Sequence, residues 1–347
     1  MSYDVIIVGA SFAGLSVAGQ IKGNVLVIDR REIGSGETSA CATYLEVARK
    51  LNCLESVVQK HDDIFVHTAS RSVQYRLPQP FCTFDYEIFC RELANQCRFE
   101  WLKAKVLGIE GDSVVTDKGV YWSRCIVDAS GWRAVLSSTK QAGSDSRGDK
   151  KSVGLEFPGD QTGDGLHFTF DRSVIKAGYG WVFPAGKESR IGVCSYSKGR
   201  NLKSALDDFA GGVVPKGSVY GGYFTSKIRQ ATVGRLFVVG DAAGHCLPVT
   251  GEGIRTAVFF GEVCGRFVQR VISGEMDIED GLAGYRDFVA HYRRDFISIR
   301  RLQKWLEIVP NSWLTMTAVW AQNNFDRVMQ RYTRLADPAA LRGPLRD

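Results

Sequence analysis

A short apolar run, Asp4-Val-Ile-Ile-Val8, leads directly into Gly9-Ala-Ser-Phe-Ala-Gly14, a helical stretch from Leu15 to Lys22, and a second run, Val25-Leu-Val-Ile28, that stops at Asp29. Strand, glycine turn, helix, strand and terminal acid is the order of a dinucleotide-binding βαβ unit. Asp29 stands about 20 residues beyond the first glycine, the spacing at which a carboxylate meets an adenosine ribose. Ser11 replaces the usual middle glycine, and its small side chain still leaves room at the turn.

A second nucleotide-type signature lies far along the chain, in Arg235-Leu-Phe-Val-Val-Gly-Asp-Ala-Ala-Gly-His-Cys-Leu-Pro-Val-Thr-Gly-Glu-Gly-Ile254. Leu236 to Val239 reads as a buried strand, broken at Gly240-Asp241, and helical spacing resumes after Gly253. An acid at a strand end accepts hydrogen bonds from ribose or ribityl hydroxyls. Gly251 and Gly253, just ahead of a helix start, let backbone N–H groups approach a phosphate or a flavin ring edge.

Between these signatures the period changes. Residues 63–68 and 71–77 alternate as half-buried strands do, whereas 44–54 and 86–97 have helical spacing. Residues 99–109, 113–116 and 120–122 read as a small meander, and 124–133 as another apolar run ending in an acid and a small-residue turn. Loops are expected at Gly34–Ser39, near the cofactor, and at 139–151. Alternation from 152 to 230 implies an antiparallel sheet, and the pattern after Gly253 is helical with a break at Pro310. The expected fold is therefore α/β: a Rossmann-like nucleotide domain (1–60, 85–150 and 231–275), a mainly antiparallel substrate domain (61–84 and 151–230) and C-terminal helices (276–347).

Charge and composition narrow the function. The formal charge of +6 is modest and Lys/Arg tracts are absent, which argues against nucleic acid as a partner. No signal peptide and no apolar run near the ~20 residues of a membrane span is visible, so a cytoplasmic location, with membrane association left open, is expected. The nine cysteines contain no C-x-x-C pair and read as reduced thiols, while His61, His67, His167, His245 and His291 lack ligand spacing, so no metal is expected. Oligomeric state is not legible.

Together these residues resemble the flavin-dependent enzymes of the glutathione-reductase fold type: Gly9…Gly14 with Asp29, then Asp128-Ala-Ser-Gly131, then Gly240-Asp241, in the family's order. Within that group, Tyr179-Gly-Trp-Val-Phe-Pro184 is similar to the Y-x-W-x-F-P motif of the geranylgeranyl reductase family, and Gly240–Ile254 to its second landmark. The resemblance implies FAD. Gly9, Ser11, Ala13 and Gly14 would face the pyrophosphate, with Phe12, Arg30 and Val106 among the cofactor contacts. Asp29 would meet the adenosine ribose and Asp241 the ribityl chain. Pro248, Gly251, Gly253 and Ile254 would border the isoalloxazine. Tyr179 and Trp181 would line a substrate cavity, and Cys41 is the candidate thiol. The family reduces isoprenoid double bonds, which implies a small apolar substrate, with NADPH or a ferredoxin-type donor as alternative reductants.

Several places depart from the family. Cys41 is followed by alanine instead of glycine, Asp85-Tyr-Glu-Ile-Phe-Cys90 lacks an arginine and a second acid, and Asp128-Ala-Ser-Gly131 is nearer the flavin halogenase form. The chain is also short after Gly253. Two other functions therefore stand beside the reductase: an FAD monooxygenase or halogenase acting on an aromatic substrate, and a non-catalytic flavin or lipid carrier. Gly253-Ile-Arg255 differs from the Gly-(Leu/Met)-Asn of aromatic hydroxylases, and Tyr179 and Phe183 differ from the halogenase W-x-W-x-I-P.

Overall fold

The computed structural model describes residues 2–36, 40–140, 151–197 and 201–344. The expected loop residues 37–39 and linker residues 141–150 lie outside that set. The N-terminal unit is strand Ser2–Val8, helix Phe12–Ala18 and strand Val25–Asp29, with the strands parallel. The helix starts three residues before the expected Leu15 and stops before Lys22. Ser11 is extended (φ −120°, ψ −164°), so the helix begins directly after the turn. At the other end the chain swings back to the sheet, where Asn24 N–H donates to the Asp4 carboxylate at 2.8 Å.

Parallel strands form the centre of the first sheet, in the order Leu236–Val238, Gly119–Asp128, Ser2–Val8, Val25–Asp29, Glu100–Lys103. Register decides where the site lies. Val8 sits beside both Ile28 and Asp128, and Asp128 beside Val238. The turns after these four strands consequently open along one carboxyl edge, where ligands of open parallel sheets bind. The run expected as one strand over 99–109 is split at Ala104. Its first half joins the parallel edge; its second, Val106–Glu110, pairs in the meander with Ser113–Thr116.

The second sheet runs Tyr220–Phe224, Ser152–Gly159, Glu188–Ser195, Gly178–Ala185, Leu166–Phe170, Val57–Thr68, Ser72–Phe84, Ala42–Tyr44. All its pairings are antiparallel except that of Leu166–Phe170 with Val57–Thr68. Residues 42–44 join this sheet, so the helix expected over 44–54 shrinks to Leu45–Lys50. Helix Leu202–Ala210 interrupts the strands expected across 152–230. Its apolar residues at spacing four (Leu202, Leu206, Ala210) cover Phe157, Ile191 and Val193.

Four helices follow, Ile254–Ile272, Ile278–Leu306, Asn311–Asn323 and Phe325–Arg334, with the expected break at Pro310 and others at 273–277 and Asn324. The first crosses Phe12–Ala18 closely. A Cβ at Gly261 or Gly265 would stand 2.8 or 2.7 Å from the carbonyl oxygens of Ala13 and Val17, so only glycine permits this approach. Among the described residues no helix is long and apolar enough to cross a membrane.

Candidate active site

One cavity of about 1400 Å³ lies between the carboxyl edge of the parallel sheet and the face of the second sheet. Its wall includes Gly9, Ser11, Phe12, Ala13, Asp29, Arg30, Cys41, Val106, Tyr179, Trp181, Asp241, Gly251, Gly253 and Ile254. Residues scattered over 245 positions are thus brought to one surface. Gly14 and Pro248 are the sequence-derived candidates that do not reach it. Gly14 sits behind the turn, where a Cβ would stand 1.9 Å from the Gly9 carbonyl oxygen; it allows the helix to close on the strand.

The turn itself is held by short contacts. Gly9 has φ +112°, and a Cβ there would stand 2.2 Å from the Ala129 carbonyl oxygen. Asp29 fixes the loop from the neighbouring strand end, accepting from the Ala10 and Arg31 N–H groups at 2.9 and 3.0 Å. Ser11 Oγ lies 3.0 Å from the Tyr86 hydroxyl, so the residue in the middle-glycine position is tied to the helix Tyr86–Asn95. Asp128, fully buried, organises the adjoining turn by accepting from Ser130, Leu136 and Ser137.

These residues fit a dinucleotide flavin. Helices Phe12–Ala18 and Ile254–Ile272 both begin at the cavity, and neither has a side-chain cap. Their first-turn N–H groups are donors without an intrahelical acceptor, suited to phosphate and to ring carbonyl or nitrogen acceptors. The Asp241 carboxylate, on the same wall, accepts no hydrogen bond among the described residues. Burial pushes its pKa up to about 6, with Arg229 opposing. A carboxylate in that state gains from hydroxyl donors, which a ribityl chain supplies.

The loop between these acids and the second helix is strained. Val249 has φ +71°, a left-handed conformation that is unfavourable for a β-branched residue. Gln303 Oε1 accepts from its N–H at 3.1 Å, and the Tyr196 hydroxyl donates to its carbonyl at 2.6 Å. Tyr179 donates to the next carbonyl, that of Thr250. Two phenols, one on the second sheet and one just past its strand Glu188–Ser195, therefore clamp the loop of the first. Burial raises both tyrosines well above their usual range, so each is a neutral donor.

Opposite the loop stands an aromatic wall. Tyr179, Trp181 and Phe183 share one face of strand Gly178–Ala185, with successive ring centroids 5.8 and 6.3 Å apart. Phe168 and Phe170 extend the wall from the next strand. Trp181 lies over Gly192 of the neighbouring strand, where a Cβ would stand 2.2 Å from the indole. That gap lets the indole N–H reach Glu156 Oε2 at 3.0 Å. Glu156 is only 2% exposed yet lines the cavity. Ala321, Phe325, Val328, Met329 and Tyr332 of the last helices close the remaining side.

Cys41 is on the wall and fully buried, with φ +48° and its carbonyl accepting from Phe84 N–H at 3.0 Å. Burial raises Cys194 and Cys246, also on the wall, well above the usual thiol range. His245 is not part of the wall. Burial lowers its pKa to about 3, and its Nδ1 accepts from Gly240 N–H. Glu156, Tyr196, Phe168, Phe170 and the 321–332 segment escaped the sequence reading. For Phe168 and Phe170, the available signal was period-two alternation like that of the Tyr179 strand. For the 321–332 segment, no local pattern signals a cavity.

With this geometry in view, the likeness to known proteins is informative. No family model matches the chain. It is 31% identical over 122 residues to digeranylgeranylglycerophospholipid reductase of Methanococcus vannielii, a match covering 32% of this chain and 31% of that protein. It is 25% identical to digeranylgeranylglycerophospholipid reductase 2 of Methanococcoides burtonii over 82% of this chain and 79% of the other. The chain is thus similar in sequence to these reductases. The first relatives are matched over only about a third of their length. Among solved structures, a geranylgeranyl bacteriochlorophyll reductase-like protein from Thermoplasma acidophilum superposes with a TM-score of 0.82 at 19% identity, covering 92% of this chain and 91% of that one. A flavin-dependent brominase gives 0.74 at 15% identity, covering 98% and 94%. A halogenase solved in complex with FAD gives 0.61 at 13% identity, covering 82% and 73%. The chain thus shares its fold with these proteins.

Proposed function

We propose that the protein is an FAD-dependent oxidoreductase that reduces carbon–carbon double bonds of an isoprenoid or similarly apolar substrate. The observation that carries this reading is the continuity of the cavity: one space joins the glycine turns to an apolar aromatic wall. Its volume of about 1400 Å³ exceeds the roughly 300–1,000 Å³ of a single small-ligand pocket. When bound, reduced FAD supplies a hydride. The chain's own residues do the rest.

Gly9–Ala13 and the start of helix Ile254–Ile272 would hold the phosphate and ring ends of the cofactor, Asp29 and Asp241 its hydroxyls. Tyr179, Trp181, Phe183 and Phe168 present flat apolar surface to an alkene and exclude water. Alkene reduction also consumes a proton. Glu156, kept on the wall by the Trp181 indole, is the acid we assign to deliver it to the carbon that does not take the hydride. The aromatic, mostly apolar wall around Tyr179 and Trp181 favours a hydrocarbon over a phenol or indole needing polar anchors, so we rank the monooxygenase or halogenase reading second.

Anaerobic reduction of the FAD-loaded protein, followed by mixing with a polyprenyl alkene, tests this. Flavin reoxidation with gain of two hydrogens per double bond supports the reductase. Oxygen-dependent hydroxylation or halogenation of an aromatic, with no response to the alkene, would overturn it, as would inertness to both.

A further inference from the structure

Among the described residues, large apolar side chains that stand exposed are concentrated in one place. Six of fourteen (Ile297, Leu302, Ile308, Trp313, Met316 and Trp320) fall within residues 297–320, where even scatter would put about one. On helix Asn311–Asn323, Leu314 and Ala318 turn inward. Trp313, Met316 and Trp320, 52%, 61% and 58% exposed, share the outer face. Trp305 of the preceding helix contacts Trp313 edge to face, with centroids 6.2 Å apart. Ile308, 75% exposed, stands in the turn between the two helices. The result is one apolar ridge running across a helix–turn–helix corner.

The surroundings of the ridge say what covers it. From 290 to 320 the chain carries five basic residues (Arg293, Arg294, Arg300, Arg301, Lys304) against two acidic ones (Asp295, Glu307). Arg293, Arg294, Arg301 and Lys304 are exposed and make no ion pair among the described residues. Exposed tryptophans beside arginines and lysines are the composition of a surface that settles into the boundary between lipid headgroups and acyl chains. The helix that carries the ridge also borders the cavity, because its inner face packs Ala318 and Ala321 against Tyr75, Ile64 and Val66, which line the cavity. The chain passes from Trp320 straight into Ala321, Phe325, Val328 and Met329, which close the cavity's apolar side.

We propose that the 297–320 corner docks on an anionic lipid bilayer and sets the apolar side of the cavity against it. The docking step itself needs no turnover. The link to substrate delivery rests on the reading of the substrate as apolar.

FAD-loaded protein without substrate is floated with vesicles of phosphatidylcholine alone or mixed with phosphatidylglycerol. Binding to the anionic vesicles, weakened by salt, is the expected result. The double variant Trp313→Ser, Trp320→Ser should bind at least about tenfold less. Arg301→Glu with Lys304→Glu should lose the preference for phosphatidylglycerol. Since all four side chains are exposed, FAD content and melting temperature serve as the folding control. No binding to either vesicle, or equal binding by the tryptophan variant, would overturn the proposal. So would a dimer in light scattering that the tryptophan variant converts to monomer, because the ridge would then belong to a second copy. None of these outcomes depends on alkene reduction, so failure here leaves the catalytic reading standing.

Discussion

Asp241 carries opposite weights in the free and cofactor-bound protein. Its raised pKa means that the folded chain retains a proton which the unfolded chain has already lost. Stability from this group therefore falls as pH rises from the ordinary value of 3.8 to about 6, and the penalty stays in full above that. Asp241→Asn should raise the melting temperature of the cofactor-free protein at pH 8 and leave it unchanged near pH 4. The same variant should bind FAD roughly ten- to a hundredfold more weakly, since a charge-assisted contact contributes about 1.5–3 kcal/mol. An unchanged dissociation constant in a fluorescence titration would refute the contact. Glu156 calls for a different test. Glu156→Gln preserves an oxygen for the Trp181 indole and removes the proton, so turnover should fall by about 10²–10⁴-fold with FAD content unchanged. Trp181 itself both packs and holds Glu156. Trp181→Ala would remove both the ring and its hydrogen bond to Glu156 and cost about 3–5 kcal/mol, so Trp181→Phe, which keeps the ring, is the cleaner probe of its place on the wall.

At the scale of elements, the N-terminal strand, turn and helix depend on Gly14. Gly14→Val would place a branched side chain against the Gly9 carbonyl, where even a Cβ stands at 1.9 Å. The turn must then open, and FAD should be absent from whatever protein remains folded, as flavin absorbance will report. This unit was legible because its information is local: two apolar runs, a glycine turn and an acid at fixed spacing. So was the Tyr179–Pro184 strand, through period two. The less legible parts rest on long-range pairing. Nothing around residues 42–44 announces a strand, because these residues become one only beside Phe81–Thr83. Helix Leu202–Ala210 lay hidden in a stretch of alternating strands, although its spacing of four was present. Glu156 resembled any polar residue on a strand. Its burial follows from the missing side chain at Gly192, one strand away.

Across the whole molecule, the far end of the chain returns to lock the cofactor half. Arg255 is fully buried beneath the Gly251–Gly253 loop. It pairs with Glu252 at 2.8 Å, donates to the carbonyls of Leu335 and Ala336, and lies over the rings of Tyr44 and Tyr332. Glu262 accepts from the Arg342 and Gly343 N–H groups at 2.9 and 2.8 Å, and Gln20 donates to the Gly343 carbonyl. The position that differs from the hydroxylase pattern, Arg255, thus anchors a segment that begins 80 residues later. A chain ending after Arg334 would leave a buried cation short of its carbonyl acceptors and a buried carboxylate without its donors. Breaking buried charge contacts on one side costs about 3–5 kcal/mol, so this chain should melt well below the full one and bind FAD poorly. Arg255→Met, which leaves Glu252 uncompensated, should reproduce much of that loss. Pairing it with Glu252→Gln should recover part of it, because no unpaired charge then remains buried. If thermal melts of the truncated and full chains coincide, the C-terminal segment is an appendage, and its coupling to the Gly251–Gly253 loop does not exist.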